Sequence, residues 1–142
     1  MKIDFTKSAP DAQVPEYAHS TDAGADLRST ESVTLEPGER KLTATGVSVA
    51  IPEGYAGFIT PRSGMANKTG VTVLNTPGLI DSGYRGELFV NLINHGYETV
   101  SIEAGSKIAQ LVIQEVVQVS FNEVETLNES DRGSNGHGST GL

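Results

Sequence analysis

The chain has 142 residues, a length that fits one domain rather than two. Its 18 acidic and 10 basic residues give a formal net charge of -8, which disfavours binding to nucleic-acid backbones and to anionic membranes. The absence of cysteine excludes disulfides, thiolate nucleophiles and cysteine-based zinc sites, and is typical of a cytoplasmic protein. Asp4 interrupts the apolar character of the N-terminus, so we expect no export segment there.

Short runs rich in Val, Ile, Thr and Tyr, separated by Gly and Pro, predict an all-β domain of the sandwich or barrel type. One short helix is predicted after Arg62, with Gly70 as its end. The run 107–119 also fits a helical period, but its Val and Ile content favours a strand. The predicted strands cover residues 2–5, 25–28, 32–35, 40–51, 56–60, 71–74, 87–94, 99–102 and 107–119.

The C-terminal sequence differs in character from the rest of the chain. From about Leu127 it is polar and rich in Gly and Ser, a composition that cannot build a core. We therefore expect a β domain over residues 1–127 and a flexible arm over residues 128–142.

Two segments are suited to phosphate and metal chemistry. Asp26 enters a predicted strand from a glycine turn, and magnesium held between one carboxylate and substrate phosphates needs few protein ligands. Arg62 and Ser63 stand at a predicted helix start, where backbone N–H groups and a guanidinium attract anions. Ser63 could instead simply cap this helix.

Gln110 is a polar residue inside an apolar strand and needs a hydrogen-bond partner in the sheet or in a ligand.

The segment 75–87 is the most informative. Its glycines, its proline and its Leu79–Ile80 pair, predicted to be buried, predict a hairpin with a polar tip. Such a hairpin would hold Asp81 and Tyr84 close together, which a plain connection does not require.

Taken in order, the segments AGADL, PRSGMA, NTPGLIDSGYRGEL, GSKIAQLV and RGSNGHGSTG resemble the five motifs of the homotrimeric dUTPase family, the deoxyuridine triphosphate nucleotidohydrolases. They run from Ala23 to Gly141. The resemblance implies a jelly-roll-like β-barrel, a homotrimer, and active sites at subunit junctions that each draw on three chains. It also implies Mg²⁺-assisted hydrolysis of dUTP to dUMP and pyrophosphate, which limits uracil incorporation into DNA and supplies dUMP for dTMP synthesis.

The resemblance assigns roles to individual residues. Asp81 resembles the general base that activates a water for attack on the α phosphorus, and Asp26 resembles the residue that holds magnesium, through bound water. Tyr84 resembles the ring that packs against deoxyribose and excludes a ribose 2′ hydroxyl. The other implied substrate contacts are Arg62, Ser63, Gly64, Asn75, Gly78, Ile80, Lys107, Gln110, Arg132, His137, Gly138 and Ser139.

One position departs from the family pattern, because His137 stands where a Phe commonly stacks over uracil. An imidazole can also stack, although it offers a smaller face and carries charge at low pH. Two rival interpretations remain open: a dCTP deaminase, which shares the fold, and a non-catalytic trimeric β-barrel that binds nucleotide or protein as a regulator.

Overall fold

A computed structural model of the protein describes residues 1–136. It confirms the all-β prediction, with eleven strands and one short helix in this part of the chain. In chain order the elements are β1 (Asp4–Lys7), β2 (Ala25–Arg28), β3 (Val33–Leu35), β4 (Arg40–Ala44), β5 (Val47–Ala50), β6 (Tyr55–Thr60), α1 (Ser63–Thr69), β7 (Val71–Val73), β8 (Gly78–Ile80), β9 (Phe89–Asn94), β10 (Val100–Ile102) and β11 (Lys107–Glu115).

The strands pair antiparallel and mostly with partners distant in sequence. The largest sheet has four strands in the order β2-β11-β6-β8, and a second sheet has the order β4-β9-β7. Two further pairs are β1 with β5 and β3 with β10. Such pairing between non-consecutive antiparallel strands is the pattern of jelly-roll folds. It places β11, the last strand, between β2 and β6.

The core forms from the inward faces of these strands. In β5, Val47 and Val49 are buried and alternate with partly exposed residues, as a sheet with one solvated face requires. Val90 and Leu92 do the same in β9. In the part of the chain that the structure describes, no helix is long and apolar enough to cross a membrane.

The predicted strand 40–51 is divided in two, because strand pairing is interrupted at Thr45 and Gly46 and the strand ends at Ala50. Gly46 is buried and has a φ of 70°, a conformation that favours glycine. A Cβ on Gly46 would lie 2.6 Å from the Cβ of Ala12, so both the backbone conformation and the close packing at this position exclude a side chain. The predicted strand 107–119 is a strand rather than a helix, but it ends at Glu115.

The segment 75–87 differs from the prediction in two ways. It does not form a hairpin with itself, because its strand β8 pairs with β6. Leu79, predicted to be buried, is 59% exposed, whereas Ile80 is half-buried. Leu79 lies on the outward face of the edge strand β8, so its apolar side chain belongs to the surface of this chain rather than to the core.

The helix α1 is confirmed and ends as predicted. Gly70 has a φ of 77° and donates its N–H to the carbonyl of Ala66 at 2.9 Å, closing the last turn. Arg62 occupies the N-cap position, and no side chain caps the helix. The alternative in which Ser63 serves as the cap is therefore wrong.

Candidate active site

A buried carboxylate lies at the centre of one polar cluster. The side chain of Asp26 is only 7% exposed, and the Nζ atom of Lys107 lies 2.5 Å from its Oδ2 atom. The Nε atom of Arg62 lies 3.7 Å from its Oδ1 atom. A carboxylate this deeply buried needs such partners, because an unpaired charge is costly to remove from water.

The sheet register explains why these residues meet. Gln110 of β11 pairs with Asp26 of β2 on one side and with Thr60 of β6 on the other. Its Nε2 atom donates to the Oδ1 atom of Asp26 at 3.5 Å, which is the partner that the sequence required of this amide. Arg62 follows β6 directly, and its Nη1 atom donates to the backbone carbonyl of Lys107 at 3.2 Å. Three predicted motifs therefore converge on one site.

The cluster is suited to binding anions. Two cationic side chains face one carboxylate, so the local charge is positive in a chain whose net charge is negative. Ser63 and Gly64 lie exposed beside it, at the start of α1. A phosphate group could therefore reach the guanidinium, the ammonium and the amide together.

The donor set for a metal is small. Within residues 1–136, no three His, Cys, Asp or Glu side chains are grouped closely enough to hold an ion. A divalent cation at Asp26 would therefore complete its coordination with water and with oxygens of a ligand. This is the usual arrangement for magnesium in nucleotide sites, where few protein ligands are needed.

Asp81 and Tyr84 lie in a tight turn after β8. The N–H of Tyr84 donates to the carbonyl of Asp81 at 3.1 Å, so the two residues are held together as predicted. The Tyr84 hydroxyl donates to the carbonyl of Glu87 at 2.9 Å. Asp81 is exposed and lines a groove of about 680 Å³, together with Glu53 and Tyr55.

The remaining predicted residues of this segment surround the strand β8. Gly78 is buried in β8, and a Cβ at this position would lie 3.3 Å from the Nδ2 atom of Asn75. Asn75 itself is exposed. β8 is an edge strand of its sheet, so its side away from β6 pairs with no other strand in the described residues.

The two groups of residues lie at opposite ends of β6. Ile80 pairs with Gly57, which places Asp81 near the start of β6, whereas Arg62 follows its end. Five residues of extended chain between Gly57 and Arg62 span about 16 Å. One copy of the chain therefore does not bring Asp81 and Arg62 to the same phosphate group.

The described part of the C-terminal segment, up to Gly136, contributes little to this geometry. Arg132 is exposed, and its Nε atom donates to the carbonyl of Asn135 at 3.0 Å. The predicted contacts His137, Gly138 and Ser139 lie outside the described residues.

The sequence matches a known family model, described as dUTPase, over residues 10–141. The chain belongs to the dUTPase family. It is 53% identical to the deoxyuridine 5'-triphosphate nucleotidohydrolase of Clostridium tetani, with 99% of this chain and 96% of the relative covered. It is 55% identical to the enzyme of the same name from Nocardia farcinica, over 98% and 85% of the two chains.

Solved dUTPase structures also resemble this chain. The dUTPase of Staphylococcus bacteriophage 80alpha, solved with dUpNHpp, is 36% identical, covers 99% of both chains and superposes with a TM-score of 0.93. A mutant dUTPase from phage phi11 of S. aureus is 35% identical, with a TM-score of 0.83 over 89% of this chain and 98% of that one. That phage protein coordinates a structural Mg(II) ion.

Glu87 of this dUTPase has partners that no motif in the sequence predicts. One carboxylate oxygen of Glu87 accepts a hydrogen bond from the N–H of Gly46 at 2.8 Å, and the other accepts one from the Ser8 hydroxyl at 2.9 Å. Its position between a glycine and the buried Leu88 is the feature that indicates a role, because a charged residue next to the core needs hydrogen-bond partners.

Proposed function

We propose that this protein hydrolyses dUTP to dUMP and pyrophosphate, with Mg²⁺, at sites that three identical chains build together. The observation that supports this most strongly is the separation of a cationic cluster at Asp26 from an exposed carboxylate at Asp81, since the two halves fit one nucleotide only when they come from different copies. The family membership gives the chemistry that these halves serve.

The cationic cluster binds the triphosphate. Arg62 and Lys107 supply positive charge, Gln110 supplies an amide donor, and Ser63 and Gly64 lie at the open side of the cluster. A phosphate oxygen that enters this cluster competes with Asp26 for the same donors. The affinity therefore depends on how the carboxylate shares its partners with the incoming anion.

Asp26 contributes to holding magnesium. When bound, such an ion would supply positive charge to offset the charge that develops on the pyrophosphate leaving group. With Lys107 already within bonding distance of one oxygen, the carboxylate of Asp26 has its second oxygen directed toward Arg62 and Gln110. Asp26 would hold the ion with few other protein ligands, since the described part of the site offers no further carboxylate, and bound water would complete the coordination.

Asp81 activates the attacking water. Its carboxylate is exposed and can accept a proton as the acidity of the water rises in the transition state. The turn that carries Asp81 is fixed by the bond from Tyr84 N–H, which limits the positions that the carboxylate can take. Catalysis by a positioned base of this kind contributes roughly 10² to 10⁴ in rate.

The segment from Asn75 to Tyr84 reads the nucleoside. Backbone N–H and C=O groups around Gly78 recognise the uracil edge, and a methyl group at C5 of the base would collide with them. The Tyr84 ring, 42% exposed, packs against deoxyribose and leaves no room for a 2′ hydroxyl. Recognition by fixed backbone groups rejects a base that presents a donor in place of an acceptor.

Trimer formation covers an apolar row on the outside of the four-stranded sheet. Phe58 pairs with Leu79 on one side and with Val112 on the other. Their neighbours Ile59 and Leu111 are buried in the core, so Phe58 and Val112 point to the opposite face. A row of three apolar side chains across three strands is best explained by contact with another copy.

The C-terminal segment reaches a neighbouring copy. Val117, Val119 and Phe121 alternate with polar residues, as in a strand, yet they are 85%, 63% and 96% exposed. Residues 128–142 then act as an arm that brings Arg132, His137, Gly138 and Ser139 over the bound triphosphate and excludes water.

A pyrophosphate-release assay that compares dUTP with dTTP, dCTP and UTP tests this function. We expect rapid, Mg²⁺-dependent release from dUTP and at most trace release from the other three. Ammonia release from dCTP would instead establish a deaminase. Binding of dUTP without pyrophosphate release would establish a non-catalytic regulator.

A further inference from the structure

The two residues before β9, Glu87 and Leu88, are hydrogen-bonded to a segment far away in the sequence. We name this contact the 87–88 clamp, and it consists of Ser8, Thr45, Gly46, Glu87 and Leu88. The carboxylate of Glu87 accepts from Gly46 N–H at 2.8 Å and from the Ser8 hydroxyl at 2.9 Å. The Thr45 hydroxyl donates to the Leu88 carbonyl at 2.6 Å, and Leu88 N–H donates to the Val47 carbonyl at 2.8 Å.

The clamp leaves the backbone of Glu87 with little freedom. Gly46 is buried at a φ of 70°, and Leu88 is fully buried. The backbone at Gly46, which donates to the carboxylate, is therefore itself rigid. Ser8 N–H also donates to the Gly46 carbonyl at 2.9 Å, which ties the N-terminal strand to the same point. The carbonyl of Glu87 is therefore an acceptor fixed in space.

That fixed carbonyl holds the Tyr84 ring. The Tyr84 hydroxyl donates to it at 2.9 Å. Gly86, which lies between them in the sequence, leaves space for the hydroxyl, because a Cβ at Gly86 would overlap the end of the ring. The ring is partly exposed, so its orientation depends on this hydrogen bond and on the clamp.

We propose that Glu87 is a positioning residue for sugar discrimination, which acts by fixing the acceptor of the Tyr84 hydroxyl and so the face that the ring presents to the deoxyribose. This inference rests on the proposed function, in which Tyr84 excludes the 2′ hydroxyl. Loss of the clamp lets the ring shift and admit a ribose, so UTP turnover rises relative to dUTP turnover.

A double-mutant cycle on substrate selectivity tests this proposal. The kcat/KM values for dUTP and UTP are measured by pyrophosphate release for the wild type, Glu87→Ala, Tyr84→Phe and the double variant. Each single variant should lower the dUTP-over-UTP ratio about tenfold, and the double variant should lower it by the same factor, since both changes release the same ring.

Glu87→Gln serves as the conservative control. Its amide oxygen can accept from Gly46 N–H and its amide nitrogen can donate to the Ser8 hydroxyl oxygen, so selectivity should stay within about threefold of the wild type. If Glu87→Ala does not fold, Gly86→Ala probes the Tyr84 ring directly and Ser8→Ala probes it through the Glu87 carboxylate. The first should lower selectivity at least as much as Tyr84→Phe, and the second should lower it less.

The alternatives give different results. A Glu87→Ala enzyme whose kcat/KM falls equally for dUTP and UTP would overturn the proposal, and so would single effects that multiply in the double variant. A wild-type protein that releases no pyrophosphate from dUTP would refute the proposed function itself, before any variant is compared.

Discussion

The Nζ atom of Lys107 lies 2.5 Å from the Oδ2 atom of Asp26, a carboxylate that is almost completely buried at the centre of a polar cluster. The Lys107 side chain is 30% exposed, so it can reach solvent and a ligand while it holds the carboxylate. This pair stabilises a buried charge, and it keeps a cation at the partly exposed side of the cluster, where we propose that phosphate binds.

The Lys107–Asp26 pair predicts that removing Lys107 lowers the stability only when Asp26 is present. Lys107→Met should lower the free energy of unfolding by about 2 kcal/mol, because it leaves a buried carboxylate with only the more distant Arg62 as a cationic partner. In an Asp26→Asn background the same substitution should cost less than about 1 kcal/mol. Urea denaturation of the four proteins measures both values, and equal losses in the two backgrounds would show that the pair does not carry the effect.

The general base predicts a separation of binding from chemistry. Asp81→Asn should bind dUTP with nearly unchanged affinity and lose roughly 10² to 10⁴ in kcat. The exposed position of Asp81 makes a folding defect unexpected, and the similarly exposed Asp4→Asn is the matched control. Calorimetric binding with a non-hydrolysable analogue, combined with steady-state kinetics, checks both parts. Retention of full activity by Asp81→Asn would remove this residue as the base.

The local sequence specified some features well and others poorly. Gly70 was recognised as the end of α1 because a helix that stops needs a left-handed residue, and β2 has the predicted bounds. The exposure of Leu79 does not follow from the sequence, because apolar character alone cannot distinguish a core face from an exposed face of an edge strand. The pairing of β8 with β6 rather than within a hairpin depends on long-range contacts that no local pattern encodes.

The site shows the same division. The sequence predicts a hydrogen-bond partner for Gln110 because an amide in an apolar strand needs one, and in the structure that partner is Asp26. The Lys107–Asp26 pair depends on the register of β11 against β2, which the sequence does not reveal. Glu87 was overlooked because its partners, Gly46 and Ser8, are 41 and 79 residues away.

The arm predicts a truncation with normal folding and impaired turnover. Deletion of residues 132–142 should change the melting temperature by no more than about 2 °C, because Arg132 to Gly136 are exposed and belong to no strand. The turnover of dUTP should fall by at least about a hundredfold, since the phosphates lose the contacts that close the site. A truncated enzyme with unchanged kcat would contradict the role of the arm.

Substitutions of two glycines measure how closely the end of α1 packs against Gly96. Gly70→Ala should destabilise the protein by more than about 2 kcal/mol, because the position has a positive φ and the new Cβ would overlap the backbone of Gly96. Gly38→Ala is the matched control, with a φ of 80° and no atom within 4 Å of the new Cβ, and should cost about 1 kcal/mol. Equal costs by chemical denaturation would mean that close packing at Gly70 contributes nothing.

The shared site is tested most directly by mixing two inactive variants. Asp81→Asn and Arg62→Ala are each expected to lose activity, and they are refolded together at equal amounts so that their chains assort at random. If Asp81 of one copy serves the Arg62 cluster of another, about one quarter of the sites combine two intact partners and recover activity. Activity that stays at the level of the separate variants, in mixed trimers verified by native mass spectrometry, would contradict a site built between chains.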